Sequence, residues 1–95
     1  MSILVAFTAK LKKGVEEKYR VLSAEVLEEA RKQPGLLFLD RGRSVMQKRG
    51  IISVSEWVSE EDLENWKNHP VHRRAQEIAL RELFETHVLK KGKGE

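Results

Sequence analysis

The stretch IISVSEWVSEEDLENWKNHPVHRRAQ, Ile51 to Gln76, changes its hydrophobic period once, and that change decides the fold. From Ile51 to Val58 the apolar residues alternate, Ile51 and Trp57 on one side and Ile52 and Val54 on the other, the two-residue period of a strand. Ser59 then precedes Glu60, Glu61 and Asp62. This is a hydroxyl able to accept from the free amides of a first helical turn, followed by carboxylates suited to that turn's positive end. The helix so begun runs through Leu63 and Trp66 to Asn68-His69-Pro70. Proline has no amide hydrogen, so Pro70 either kinks this helix or opens a new segment at its first position. Val71, Ala75, Ile78 and Ala79 give the continuation an apolar stripe.

Working outward, Leu36 to Met46 reads as a further strand, joined to the one at Ile51 by a hairpin with Arg49-Gly50 in its tight connection. Upstream, Val15, Tyr19, Leu22, Val26 and Ala30 recur at three- and four-residue steps, an amphipathic helix from Val15 to Gln33 that Pro34-Gly35 stops. Ile3 to Leu11 alternates as a first strand, and Leu83 to Leu89 returns to alternation as a last one. Residues 1–90 form one domain on this reading, and residues 91–95, Lys and Gly with nothing to bury, form a disordered tail. The order β-α-β-β-α-β specifies an α+β, ferredoxin-like arrangement: a four-stranded antiparallel sheet with two helices on one face. Both faces of the strands carry apolar residues, so something must cover the second face. A second copy of the chain is the simplest cover, which makes a homodimer the expected state.

The composition agrees. At 95 residues the chain is one domain, too short for a dinucleotide domain beside a substrate domain, a TIM barrel or a kinase. Its core is thin, because a chain of this size buries only a little over about 60% of its surface. Eighteen basic residues face fifteen acidic ones, for a net charge of +3, and the signs alternate along the chain. With no continuous basic stripe, no nucleic-acid partner is expected. The Ile51 strand also lacks the basic-glycine-aromatic pattern of an RNA-recognition module. Cysteine is absent, which excludes disulfides, thiolate metal sites and thiol nucleophiles. The longest uncharged stretch, Ser2 to Ala9, is too short for a membrane span, and a cytoplasmic protein is the expectation.

Candidate chemistry concentrates in the second helical region. His69, His72 and Gln76 stand at i, i+3 and i+7, on one face if the helix is continuous, with Trp66 about one turn upstream. Such a face could line a cleft between helix and sheet. His72 could there act as an acid or base, hydrogen-bond a substrate oxygen, or ligate a metal or haem iron. The structural alternatives are that His69 caps a helix break and that His72 lies on the surface. Trp57 reads as core, and Trp66 as packing or pocket wall. No zinc site is expected, because two histidines three residues apart lack a matching ligand set and the facing of His87 is open. Ser53 and Ser55 share a strand face, but no Asp-His pair is placed to make either a nucleophile. Arg41, Arg43 and Arg49 could meet an anionic ligand or simply mark a solvated strand end.

The residues Ser53-Val54-Ser55-Glu56-Trp57, then Glu60-Glu61, Asn65-Trp66-Lys67, His69-Pro70, His72 and Ala75-Gln76, together with Pro34-Gly35, resemble the antibiotic biosynthesis monooxygenase (ABM) domain family over nearly the whole chain. The resemblance implies a dimeric α+β barrel, two such sheets packed face to face, and a cleft between helices and sheet in each subunit. It further implies a small monooxygenase that oxidises a quinol-like or polycyclic aromatic molecule with O₂ and no cofactor. His72 would be its catalytic group and Trp66, Gln76 and His69 its substrate contacts. The family's haem-degrading branch is matched at Trp66, but its iron-ligating histidine falls near Gln76 and its first-strand asparagine near Phe7. Haem binding would therefore require His72 as ligand. The rival reading is a non-enzymatic dimeric module that binds a small ligand or supports a partner, its cleft plugged by Tyr19, Phe38 or Phe84.

Overall fold

The computed structural model describes residues 1–94, and Glu95 lies outside the described residues. Four strands, β1 (Ser2–Leu11), β2 (Leu36–Arg43), β3 (Gly50–Trp57) and β4 (Phe84–Gly94), form one antiparallel sheet in the order β2-β3-β1-β4. Helix α1 (Glu16–Ala30) connects β1 to β2. Between β3 and β4 the chain forms α2 (Glu60–Lys67), α3 (Pro70–Ile78) and a π-helical turn, Ala79–Leu83. This is the ferredoxin-like architecture that the order of periods specified.

The helix boundaries follow from local chemistry. Ser59 accepts from the Asp62 amide, as a hydroxyl N-cap should. Pro70 opens α3 at its first turn, where a missing amide hydrogen costs nothing, and the His69 ring accepts from the Val71 amide at 3.1 Å. The second helical region is therefore two short rods. At the end of α1, Gly35 takes φ 86°, and a Cβ on it would collide with the Asp62 side chain.

Three departures from the sequence reading have physical causes. Strand β2 ends at Arg43, short of Met46, because the Ser44 hydroxyl accepts from the Met46 and Gln47 amides and closes a local turn. The connection to β3 is thus a loop of residues 44–49, with Arg49 at φ 59° and its side chain fixed by the Leu11 carbonyl and Glu85. An irregularity between Leu36 and Phe38 switches the phase of β2. Leu36 and Leu39 pack into the core while Phe38 faces the other way, half exposed. Finally, β4 continues past Leu89 to Gly94, where a frayed tail was expected. Lys90 through Gly94 pair with Ala6 back to Ser2, and main-chain bonds to β1 supply what their side chains do not. Lysines suit such an edge strand because they discourage pairing with a further chain.

Inward-facing residues of the sheet meet the helices in two separate clusters. Ala9, Leu11, Ile51, Ala79 and Leu83 form one, with Phe7, Tyr19, Leu22 and Phe84 packed on it. Ala30, Trp57, Leu63 and Trp66 form the other, with Val5, Val26 and Leu39 against it. The opposite face of the sheet carries Leu4, Phe38, Ile52, Val54 and Val88, all substantially exposed. Among the described residues no helix is long and apolar enough to cross a membrane.

Candidate functional site

Between the two core clusters lies a cavity of about 270 Å³. Its walls come from both: Phe7, Tyr19 and Phe84 from one side, Val5, Leu39 and Trp66 from the other. A core divided in this way leaves a mostly apolar space inside a small domain, which packing alone would close.

Helix α3 brings His72 and Gln76 to this space, and α2 brings Trp66. Trp66 is buried, and its ring meets that of His72 edge-on, with centroids 5.1 Å apart. The His72 Nδ1 is buried with no hydrogen-bond partner among the described residues. Burial pushes the imidazole below its ordinary value of 6.5, because desolvation disfavours the cation; a backbone contact with Lys67 opposes this, and the Lys67 and His69 charges reinforce it. At neutral pH the ring is therefore neutral, with one nitrogen free to accept a proton. Gln76, more exposed, stands where its amide could assist a bound polar group.

His69 is placed differently. The helix break removes it from the face shared by His72 and Gln76, and it does not line the cavity; its Nδ1 caps α3 and its ring rests on Trp66 at 5.4 Å. His87 lies on the helix side of β4, near Phe7 and Phe84. Trp57 is core, as expected, and its indole N–H donates to the Ser55 hydroxyl at 3.0 Å. Ser53 and Ser55 both line the cavity, so the shared face noticed in the sequence is the inner one. Sequence reasoning named Arg41 as a candidate anion contact without placing it in the cavity, and it missed Ser23. The available signal was a cation two positions after Leu39, on the inward phase of β2.

Among the described residues no group of three or more His, Cys, Asp or Glu side chains could hold a metal ion. At the ligand position of the haem-degrading branch, one turn beyond His72, the helix presents the amide of Gln76, a poor iron ligand, and the cavity falls below the roughly 300–1,000 Å³ of ordinary small-molecule pockets.

Fold and cavity together define a ferredoxin-like α+β domain with a mostly apolar cavity between its helices and sheet. The sequence pattern of the family described as antibiotic biosynthesis monooxygenase matches residues 2–78, and the chain belongs to that family. No curated protein matches the sequence. Solved structures share the fold at low identity. A conserved protein from Methanosarcina mazei superposes with a TM-score of 0.90 at 14% identity, covering 100% of this chain and 94% of its own. Rv0793 from Mycobacterium tuberculosis gives 0.89 at 12%, covering 100% and 96%. SnoaB from Streptomyces nogalater, a cofactor-independent oxygenase, gives 0.82 at 14%, covering 99% and 93%.

Proposed function

We propose that this protein is a cofactor-independent monooxygenase acting on a small quinol-like substrate, with His72 as the base. The observation that carries the reading is His72 itself, which lines an apolar cavity beside Trp66 and has a buried Nδ1 without a hydrogen-bond partner among the described residues. Family membership and the likeness to SnoaB support it. The volume of about 270 Å³ favours one or two rings over a larger polycyclic body.

In this mechanism the neutral imidazole removes a proton from the substrate hydroxyl, and the electron-rich anion delivers its own electrons to O₂. One oxygen atom joins a ring carbon that gives up its hydrogen, and the other leaves as water. The product is a hydroxylated quinone. Trp66 would hold the His72 ring and flank the substrate, Gln76 would donate to a substrate oxygen, and dry walls would strengthen both interactions. His69 would act at one remove, by fixing the start of α3.

The plugged, non-enzymatic module is less well supported. Tyr19 and Phe84 line the cavity without filling it, and Phe38 lies on the opposite face of the sheet. That opposite face is the proposed homodimer surface, since its exposed apolar residues are what a second copy would cover. The test is oxygen uptake and product mass with one- and two-ring quinols under ¹⁸O₂. One labelled atom should appear in the product and one in water, and the rate should fall sharply in a His72→Gln, Trp66→Phe double variant. Unchanged turnover in that variant overturns the proposal.

A further inference from the structure

A groove of about 920 Å³ runs between α1 and the β2–β3 hairpin. Six cationic side chains line it, Arg20, Arg31, Arg41, Arg43, Lys48 and Arg49, against the two carboxylates Glu16 and Glu28. Arg20 pairs with Glu17 and Arg49 with Glu85, which leaves Arg31, Arg41, Arg43 and Lys48 without an ion pair among the described residues. Groove and cavity adjoin at Arg41 and Ser23, which line both.

Arg41 is the anomalous member. It is partly buried on the inward phase of β2, opposite Ser53, where packing alone calls for an apolar residue. Its guanidinium donates to the Ser23 carbonyl at 3.2 Å and to the Ser23 hydroxyl, both neutral acceptors. Two other cations line the cavity, and each has a carboxylate: Lys67 with Glu64 at 3.2 Å, Lys91 with Glu60 at 2.6 Å. Among the described residues Arg41 makes no ion pair. A guanidinium offers five donors in a planar fork matched to a carboxylate, and holding its charge at an apolar wall with neutral partners is costly.

We infer that Arg41 determines specificity, and that the substrate bears a carboxylate which arrives over the basic groove and pairs with this guanidinium while the ring body occupies the cavity. The inference rests on the proposed function for the cavity itself and adds the substrate's charge. Ser23 holds the fork in place until the carboxylate displaces it. The other groove cations act at longer range, raising the local concentration of anions.

Isothermal titration calorimetry with 2-naphthoate and its neutral isostere 2-naphthamide tests this. The wild-type protein should bind the carboxylate at least about ten-fold more tightly than the amide, and added salt should shrink the gap. Arg41→Gln should abolish the preference while leaving amide binding intact, and Ser23→Ala should preserve it. Arg41→Lys, which keeps the charge and loses the fork, should retain part of it and gives a second reading if the glutamine variant folds poorly. Equal binding of the two probes by the wild type, or a preference that survives Arg41→Gln, overturns the role of Arg41 and leaves the cavity reading standing. Binding of neither probe overturns both.

Discussion

The rings of Trp66 and His72 meet in a T, at 5.1 Å between centroids and 61° between planes. The indole therefore fixes the direction of the imidazole as well as filling space. Trp66→Phe, which keeps an aromatic ring, should leave the fold intact and lower turnover several-fold. Trp66→Ala should lower stability by about 3–5 kcal/mol, because it empties the centre of the cluster formed with Ala30, Trp57 and Leu63. Denaturant unfolding and oxygen uptake on the same samples separate the two effects.

His72→Gln removes the base while keeping a polar side chain. Turnover of an accepted quinol should fall by about 10²–10⁴, the usual worth of a positioned general base. Because burial holds the imidazole below 6.5, the acid limb of the wild-type kcat/KM profile should lie below that value. That limb should vanish in the variant.

The same burial has a stability signature. The folded state favours neutral His72, while the unfolded imidazole takes up its proton near its ordinary value of 6.5. The contribution of His72 to stability is therefore complete above 6.5 and is lost as pH falls from there through the lower folded value. Tm measured from pH 7.5 to 5 should decline less steeply in His72→Gln than in the wild type.

Two substitutions test the frame around the cavity. Ser55→Ala removes the acceptor for the buried Trp57 indole N–H and should cost about 1–3 kcal/mol. Gly35→Ala should cost more than the usual helix-end substitution, since it combines a left-handed backbone with a collision against Asp62. Chemical denaturation of both variants checks the order.

Val54 tests the open face. It lies opposite Ala6 on one side and Asp40 on the other, so Val54→Asp places two carboxylates on neighbouring strands of the face proposed to meet a second copy. Light scattering should give twice the chain mass for the wild type and the single chain mass for the variant. An identical mass for both removes this face from the assembly.

Much of this architecture was legible because period and capping are local. The alternation of Ile51 to Trp57, the Ser59 cap and the Pro70 break all act within a few residues, and each appears where the sequence put it. The pairing of Lys90 to Gly94 was not legible, because its stabilisation lies in backbone bonds to β1, more than eighty residues away. Arg41 was ambiguous for another reason. The irregularity between Leu36 and Phe38 resets which side chains of β2 face inward, and alternation cannot be counted through it. Trp66 and His72 were recognisable as a pair, but only the break at His69 shows which histidine reaches the cavity.

Helix α3 belongs to neither core cluster: none of its nine residues appears in the set around Leu83 or the set around Trp57, and Ala75 is the only one fully buried. It carries His72 and Gln76 all the same. Bounded by the His69 cap and Pro70 at one end and a π-helical turn at the other, it is a cassette: the segment that holds the proposed reactive groups lies outside both clusters and is tied to the scaffold through α1 and that turn. New chemistry could therefore be installed by rewriting one short helix, with the two halves of the core left as they are.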